Sequence, residues 1–203
     1  GQRLLSRVGC RQAAVQPQGP AQALTPIQQI DTWLDGFHVA KDNPKHFAET
    51  HHYCHVVDED LIQCALYDRS APDARLVGVE YVLSEHAFAS LPKSEQAYWH
   101  PHNYEVLSGM LVAPGMPDGQ ERALMKRMLN SYGKTWMTWP MGGPSQPMNN
   151  LPTGDPELAW SYNADGEAPE RLVSARDHRL GLDEENLRAR RQAPSRFQFQ
   201  CGG

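Results

Sequence analysis

The stretch RLVGVEYVLS, residues 75–84, decides the fold, because it is apolar at nearly every position except Glu80. A short apolar run that is bounded by turn residues is typical of a strand buried on both faces. These residues therefore predict a central strand of a sheet, and the strand carries one buried carboxylate.

Further strands are predicted on both sides of this one. Residues 53–57 and 61–67 are rich in β-branched and aromatic side chains and flank the turn Asp58-Glu59-Asp60, which predicts a hairpin. Residues 105–112 and 134–139 also read as strands. Together these segments predict an antiparallel sheet of about four to five strands.

Two main helices are predicted to pack this sheet. The first spans residues 26–38, with Thr25 as N-cap, and the second spans residues 118–132, with Gly133 as its left-handed cap. Short helical turns are expected at 84–91 and 94–99. The apolar stripe of the first helix consists of Ile27, Ile30, Trp33, Leu34 and Phe37. The predicted fold class is therefore α+β, with an antiparallel sheet and two packing helices.

The chain is expected to form a single folded domain with extensions at both ends. Residues 1–25 are rich in Gln, Ala and Pro without an apolar period, which is typical of a tether. Residues 26–162 form the predicted α+β domain. Residues 163–203 form a C-terminal extension, in which 183–191 is charged enough for a short surface helix.

Composition excludes several classes of protein. The chain has 203 residues, with 19 Lys and Arg against 24 Asp and Glu, so its formal charge of −5 leaves no basic face for nucleic acid. Its apolar runs fall far short of the ~20 residues that a transmembrane helix needs. No leader is visible at the first residues, and an exported location stays open if one was removed. A homo-oligomer also stays open.

The sequence lacks the motifs of nucleotide-binding loops, the nucleophile elbow of common hydrolases and the Cys-x-x-Cys pattern. Four cysteines are present, namely Cys10, Cys54, Cys64 and Cys201. Cys54 and Cys64 lie on predicted neighbouring strands, where a disulfide or two buried thiols would both be ordinary.

The histidines point to a metal. His100 and His102 are two residues apart on an extended segment, so their side chains point to one face and can reach one ion. Two imidazoles and a carboxylate suit zinc, copper, iron or nickel. The alternative is a structural polar network, and lone histidines such as His38 are expected to be structural or exposed. The candidate ligands are His51, His52, Glu80, His100, His102 and Glu105.

A series of short motifs resembles the oil body-associated protein family over about residues 36–160. The motifs are His51-His52-Tyr53-Cys54, Gln63-Cys64-Ala65-Leu66-Tyr67-Asp68, Ala74-Arg75-Leu76-Val77-Gly78-Val79-Glu80-Tyr81, Trp99-His100-x-His102, Glu105-Val106, Tyr132-Gly133-Lys134 and Leu151-Pro152-x-Gly154. The chain resembles a bacterial or fungal-type member of this largely uncharacterised domain family. The resemblance implies association with oil bodies or lipid droplets, a role in their stability, and no particular enzymatic activity.

Three hypotheses of function follow. The favoured one is an oil body-associated-like, non-catalytic binding or stabilising module with a His/Glu site for a transition metal and a lipid-droplet or protein partner. The second is a metal-dependent enzyme, in which Tyr104 or His52 acts as acid or base beside the metal. The third is a surface or envelope component that is held by its N-terminal tether.

Overall fold

The computed structural model describes residues 25–141 and 151–192. All but the last residue of the predicted tether at 1–25 lies outside this part of the chain, as do Cys10 and Cys201. The strands are β1 (Thr32–Ala40), β2 (Asn43–Val56), β3 (Leu61–Tyr67), β4 (Leu76–Leu83), β5 (His100–Pro101), β6 (Tyr132–Met137) and β7 (Glu157–Trp160). The helices are α1 (Thr25–Gln28), α2 (Glu85–Ala89), α3 (Lys93–Gln96), α4 (Asn103–Ser108), α5 (Asp118–Met128), α6 (Glu170–Leu180) and α7 (Glu184–Gln192). None of these described helices is long and apolar enough to span a membrane.

Six strands close into an antiparallel barrel in the order β1-β2-β3-β4-β6-β7. The first four form a meander, β4 then pairs with β6, and β7 pairs with both β6 and β1. The two-residue strand β5 adds to one end of β6. The predicted α+β fold, with a sheet of about four to five strands packed by two main helices, is therefore wrong, since the sheet closes on itself.

The register decides which side chains point into the barrel, because directly opposed residues of paired strands share a face. His52 of β2 opposes Leu34 of β1, and Glu80 of β4 opposes both Cys64 of β3 and Thr135 of β6. The inward face carries Leu34, His38, His52, Cys54, Ile62, Cys64, Leu66, Glu80, Val82, Gly133, Thr135, Met137 and Ala159. Most side chains in the interior of the barrel are thus apolar, and the polar ones include Glu80 and the histidines.

The first predicted helix is largely a strand. Helix α1 ends at Gln28, and β1 begins at Thr32. Leu34 belongs to the barrel core, whereas Phe37 belongs to a second apolar cluster outside the barrel, with Val173 of α6. Because both faces of β1 are buried, its apolar residues do not alternate, and their spacing matched a helix by coincidence.

The predicted strand over residues 105–112 is also wrong. These residues begin in α4, which ends at Ser108 and is capped by Gly109 in the left-handed conformation, with φ of 87°. Only Val112 then makes a bridge to Asp35 of β1. The left-handed cap expected at Gly133 lies instead near Asn130, whose φ is 63°, and Gly133 belongs to β6.

The remaining predicted elements are confirmed with shifts at their ends. The hairpin of β2 and β3, the buried strand β4, strand β6, helix α5 and the short helices α2 and α3 occur where the sequence indicated. The charged helix near the C-terminus is α7, although Arg191 within it is only 3% exposed. Cys54 and Cys64 form a disulfide between β2 and β3 inside the barrel, which decides between the two alternatives for these cysteines.

Two buried arginines tie the C-terminal helices to α4 and to the loop that follows it. Arg176 of α6 donates hydrogen bonds to the carbonyl oxygens of Gly109 and Met110. Arg191 of α7 donates to the carbonyl oxygens of Val106 and Leu111. The guanidinium groups satisfy backbone oxygens that helix and strand hydrogen bonds leave free, so α6 and α7 hold α4 in place against the barrel.

Closure of the barrel between β4 and β6 requires a glycine at position 78. A Cβ there would stand 2.6 Å from the carbonyl oxygen of Trp136 and 3.0 Å from Met137 Sδ. We predict that Gly78→Ala lowers the free energy of unfolding by about 1–3 kcal/mol, because the two strands must move apart. Chemical denaturation measures this change.

The matched control is Gly119→Ala in α5, where an added Cβ meets nothing within 4 Å. This variant is expected to be neutral or slightly stabilising, since alanine restricts the unfolded chain more than glycine does. Equal stability of the two variants would contradict the tight seam between β4 and β6.

Candidate metal centre

Five buried side chains from different parts of the chain meet inside the barrel. They are His38 of β1, His52 of β2, Glu80 of β4, His100 of β5 and His102, the N-cap residue of α4. Each is at most 3% exposed. The structure therefore brings together four of the six predicted ligands and adds His38, which the sequence reasoning had placed among the lone histidines.

The carboxylate of Glu80 is the common partner of all four imidazoles. Its Oε1 atom lies 3.4 Å from His100 Nε2, 3.4 Å from His102 Nε2 and 3.8 Å from His38 Nε2. The other oxygen, Oε2, lies 3.1 Å from His52 Nε2. Three of the imidazoles thus face one oxygen, and the fourth contacts the other oxygen.

The three longer separations exceed the common length of a hydrogen bond, although the one with His102 Nε2, at 3.4 Å, still has hydrogen-bond geometry. Hydrogen bonds between N–H groups and oxygen are commonly about 2.9–3.0 Å long. Metal–ligand bonds of about 2.0–2.2 Å place neighbouring donors of a tetrahedral site about 3.4 Å apart. The distances from Glu80 Oε1 to the ring nitrogens of His100 and His102 match this separation between donors, and the distance to His38 exceeds it slightly.

A glycine keeps open the space that these donors face. Gly133 of β6 lies opposite His100 in the register. A Cβ at Gly133 would stand 2.6 Å from His102 Nε2, 2.7 Å from His100 Nε2 and closer still to Glu80 Oε1. Three donor atoms thus converge on the space beside the Gly133 backbone that a side chain would otherwise fill, and an ion held by them would lie further from the Gly133 Cα than a Cβ does.

Outer hydrogen bonds orient two of the rings. Ser131 Oγ donates to the carbonyl oxygen of Met128 at 2.7 Å, so it accepts the hydrogen bond from His102 Nδ1, which lies 2.8 Å away. The Nε2 lone pair of His102 is then directed at the centre. His38 Nδ1 makes a similar contact with Thr50 Oγ1, at 2.9 Å. Such partners typically fix the tautomer of histidines that bind metals.

The ring of His100 is fully buried, and neither of its nitrogens has a hydrogen-bond partner among the described residues. The contact of its Nε2 with Glu80 is close but lacks hydrogen-bond geometry. Buried polar atoms without partners are costly, so such an atom calls for an explanation. A metal ion in front of Gly133 would satisfy the Nε2 atom.

Burial and charge give these groups the protonation states that metals require. Burial alone would raise the pKa of Glu80, but its polar contacts with His100 and the other imidazoles hold that pKa well below its ordinary value. Burial lowers the pKa of His100 to about 4 and also lowers the pKa of His38. Glu80 is therefore a carboxylate, and His38 and His100 are neutral imidazoles at neutral pH, which are the forms that bind metal ions.

Glu105, another predicted ligand, lies beside this centre in α4. It is 3% exposed, and one of its oxygens lies within 4.8 Å of donor atoms of His100 and His102. Burial, reinforced by the negative charge of Glu80, raises the pKa of Glu105 well above its ordinary value. Glu105 is thus a neutral carboxylic acid next to the charged carboxylate in the metal-free protein.

His51, the remaining predicted ligand, points away from the centre. Neighbouring residues of a strand project to opposite faces, so His52 enters the barrel and His51 lies outside it. His51 Nδ1 lies 3.3 Å from Asp35 Oδ2, and its Nε2 lies 3.6 Å from Glu49 Oε1. Arg179 of α6 pairs with both carboxylates, so His51 belongs to an ion-pair network beneath that helix.

Alternation along β1 is the sequence signal that would have found His38. Leu34, Gly36 and His38 follow at intervals of two, so His38 shares the inward face with Leu34. The assignment of this segment to a helix concealed that pattern. Gly133 and Thr135 were missed because their roles depend on the pairing of β6 with β4 and β5.

Fold and site together define a small closed β-barrel with a buried histidine–glutamate centre. The chain belongs to the family described as Protein of unknown function (DUF1264), whose family model matches residues 24–194. A search of solved structures gave no significant match.

Plant proteins are among the relatives of this chain. It is 41% identical to oil body-associated protein 2A of Zea mays over 172 residues. This alignment covers 84% of this chain and 67% of the relative. It is 36% identical to oil body-associated protein 2B of Arabidopsis thaliana, over 84% of this chain and 68% of the relative. The identity with oil body-associated protein 1B of the same plant is 33%, over 82% and 68%. The predicted family is confirmed, whereas a bacterial or fungal type of member is not supported by these plant relatives.

The raised pKa of Glu105 predicts how the stability of the protein depends on pH when a chelator keeps metal ions away from it. The folded chain retains a proton that the unfolded chain releases above about pH 4.5. Glu105 therefore reduces stability increasingly as the pH rises from that value towards its folded pKa. We predict that Glu105→Gln is more stable than the parent, with a difference in unfolding free energy that is larger at about pH 8 than at about pH 5.

Urea denaturation at the two pH values measures this difference. Glu59→Gln, at an exposed turn position, is the control and should show no such trend. A stability difference for Glu105→Gln that is the same at both pH values would contradict the buried neutral acid.

Proposed function

We propose that this protein is an oil body-associated-like binding or stabilising module, and that its barrel holds one transition-metal ion. The proposed ligands are His38, Glu80, His100 and His102. The observation that carries the proposal is the convergence of the donor atoms of Glu80, His100 and His102 on the space that Gly133 leaves open, with Glu80 Oε1 lying 3.4 Å from the Nε2 atom of each histidine. The plant relatives, which are named for oil bodies, support the association with such a body.

The donor set restricts the kind of ion. Imidazole nitrogens with one carboxylate oxygen suit zinc, iron, copper or nickel. His52 contacts the second oxygen of Glu80 and would orient the carboxylate, whereas Glu105 stands beside the ligands as a further oxygen donor. A bound ion would link β1, β4, β5 and the start of α4, and so would stabilise the closed barrel by mass action.

A stabilising role is favoured over an enzyme by the burial of the centre. A catalytic metal needs a coordination position that a substrate can reach. Every proposed ligand is at most 3% exposed. Tyr104, one of the two residues proposed as acid or base in the enzyme hypothesis, donates its hydroxyl instead to Asp165 at 2.7 Å. The hypothesis of a tethered envelope component depends on residues 1–25, which lie almost wholly outside the described residues.

The proposed centre predicts the metal content of the protein. We expect about one zinc, iron, copper or nickel ion per chain in untagged protein after metal loading, measured by elemental mass spectrometry. The double variant His100→Ala/His102→Ala should lose the metal. Gly133→Ala should lose it as well, although it retains all four ligands, because the added methyl group fills the space for the ion.

Two controls separate loss of the ion from general damage. His86→Ala removes a histidine that is 91% exposed at its side chain, and Gly119→Ala adds a methyl group in open space. Both should keep the full metal content. A parent protein without bound metal after loading, or a Gly133→Ala protein with a full complement, would contradict the proposal.

The oil-body part of the proposal is tested by flotation. Purified chain is mixed with triacylglycerol droplets that are coated with a phospholipid monolayer, and the mixture is centrifuged. The expected result is that the chain rises with the droplets, whereas an unrelated soluble protein of similar size stays in the aqueous layer. A chain that stays with the control protein would contradict direct association with a droplet surface.

A further inference from the structure

The disulfide lies in the same layer of the barrel as the proposed metal ligands. Cys54 follows His52 by two residues in β2, so both point inward. Cys64 of β3 opposes Cys54 on one side and Glu80 of β4 on the other. The disulfide thus connects β2, the strand that carries His52, to Cys64, the residue directly opposite Glu80.

Of the two cysteines, Cys64 is the one that lines the cavity at the centre. It lines the same cavity as His52, Glu80, His102 and Glu105. Directly opposed side chains of an antiparallel pair have Cβ atoms about 4.5–5.5 Å apart, which places Cys64 within a side chain's reach of Glu80. Cys54 is not among the residues that line this cavity, although it is fully buried.

We infer that the Cys54–Cys64 disulfide controls which donors the metal centre offers, and that reduction turns Cys64 into a sulfur ligand of the same ion. This inference rests on the proposed metal centre. With the disulfide intact the centre offers nitrogen and oxygen donors only. With the disulfide reduced it offers nitrogen, oxygen and thiolate sulfur, a set that favours zinc and copper(I).

The reaction that connects the two states needs a dithiol reductant. The dithiol attacks the disulfide through a mixed disulfide and closes to its own cyclic disulfide, so two electrons and two protons pass to the sulfurs of Cys54 and Cys64. Cys64 then binds the ion as thiolate, and its proton passes to the buffer, while Cys54 remains a thiol. Because Cys64 is only 6% exposed, the exchange requires local opening of β2 and β3 and should be slow.

Reduction and metal binding are linked equilibria in this scheme. If reduction strengthens metal binding by some factor, bound metal must favour reduction by the same factor. Couplings between sites are typically ~5–150-fold, and we expect about tenfold tighter binding in the reduced protein.

Cobalt(II) is the probe, because its visible bands report coordination and its near-ultraviolet charge-transfer band reports a thiolate ligand. Oxidised protein and protein reduced with a dithiol, which is then removed by anaerobic gel filtration, are each titrated with cobalt. The expected result is visible bands in both states, with the thiolate band and about tenfold tighter binding in the reduced state only.

Two single variants identify the sulfur. Cys54→Ser and Cys64→Ser both lack the disulfide, so both lose whatever stability it contributes. Cys54→Ser leaves Cys64 free and should show the thiolate band without a reductant. Cys64→Ser should show visible bands only. If neither variant folds, the reduced parent protein alone decides the question.

The outcomes test the role of the disulfide separately from the proposed metal centre. Visible bands in both states without a thiolate band after reduction overturn the inference and leave the metal centre standing. A thiolate band of equal strength in the two cysteine variants also overturns it. Failure of cobalt to bind in either state contradicts the metal centre itself.

Discussion

The buried carboxylate of Glu80 is the constraint on which the rest of the structure depends. An ionised carboxylate inside a barrel is costly unless its oxygens find partners. Thr135 donates a hydrogen bond to Oε1 at 2.9 Å, and four imidazoles surround the two oxygens. These partners come from β1, β2, β5, β6 and the start of α4, so satisfying one side chain fixes the relative position of most of the barrel.

Closure of the barrel is what makes this arrangement attainable. Strand β1 reaches the centre only because β7 connects it to β6, through pairs such as Val39 with Trp160 and Thr135 with Ala159. The short strand β5 adds His100 across from Gly133, where the sheet has room for the ring. Helix α4 is then held from outside by α6 and α7, whose arginines bind the end of α4 and the loop after it.

The sequence carries the local features of this structure but not its long-range pairing. The apolar run around Glu80 predicts a buried strand with one carboxylate, and the spacing of His100 and His102 predicts that they act together, because both signals lie within a few residues. The pairing of β4 with β6 joins residues that are far apart in the chain, and no local pattern encodes it. His38 was missed for a related reason, since a strand buried on both faces by non-local neighbours loses its alternation.

The chemical character of the centre follows from its burial. The side chains are almost fully buried, His38 and His100 are neutral and the carboxylate is charged, so the barrel offers a preformed set of donors without the mobility of a surface site. This arrangement suits a permanently bound ion that stabilises a module more than it suits an ion that exchanges substrates. The Cys54–Cys64 disulfide lies beside the centre, and its covalent bond can be broken by reduction.

The most direct measurement of the central claim is an anomalous difference map from crystals of metal-loaded protein, recorded on both sides of the absorption edge of the metal. The account predicts one strong peak in front of Gly133, within about 2.0–2.2 Å of Glu80 Oε1 and of the Nε2 atoms of His100 and His102. A map without a peak at that position, with these side chains ordered and bound only to one another, would contradict it.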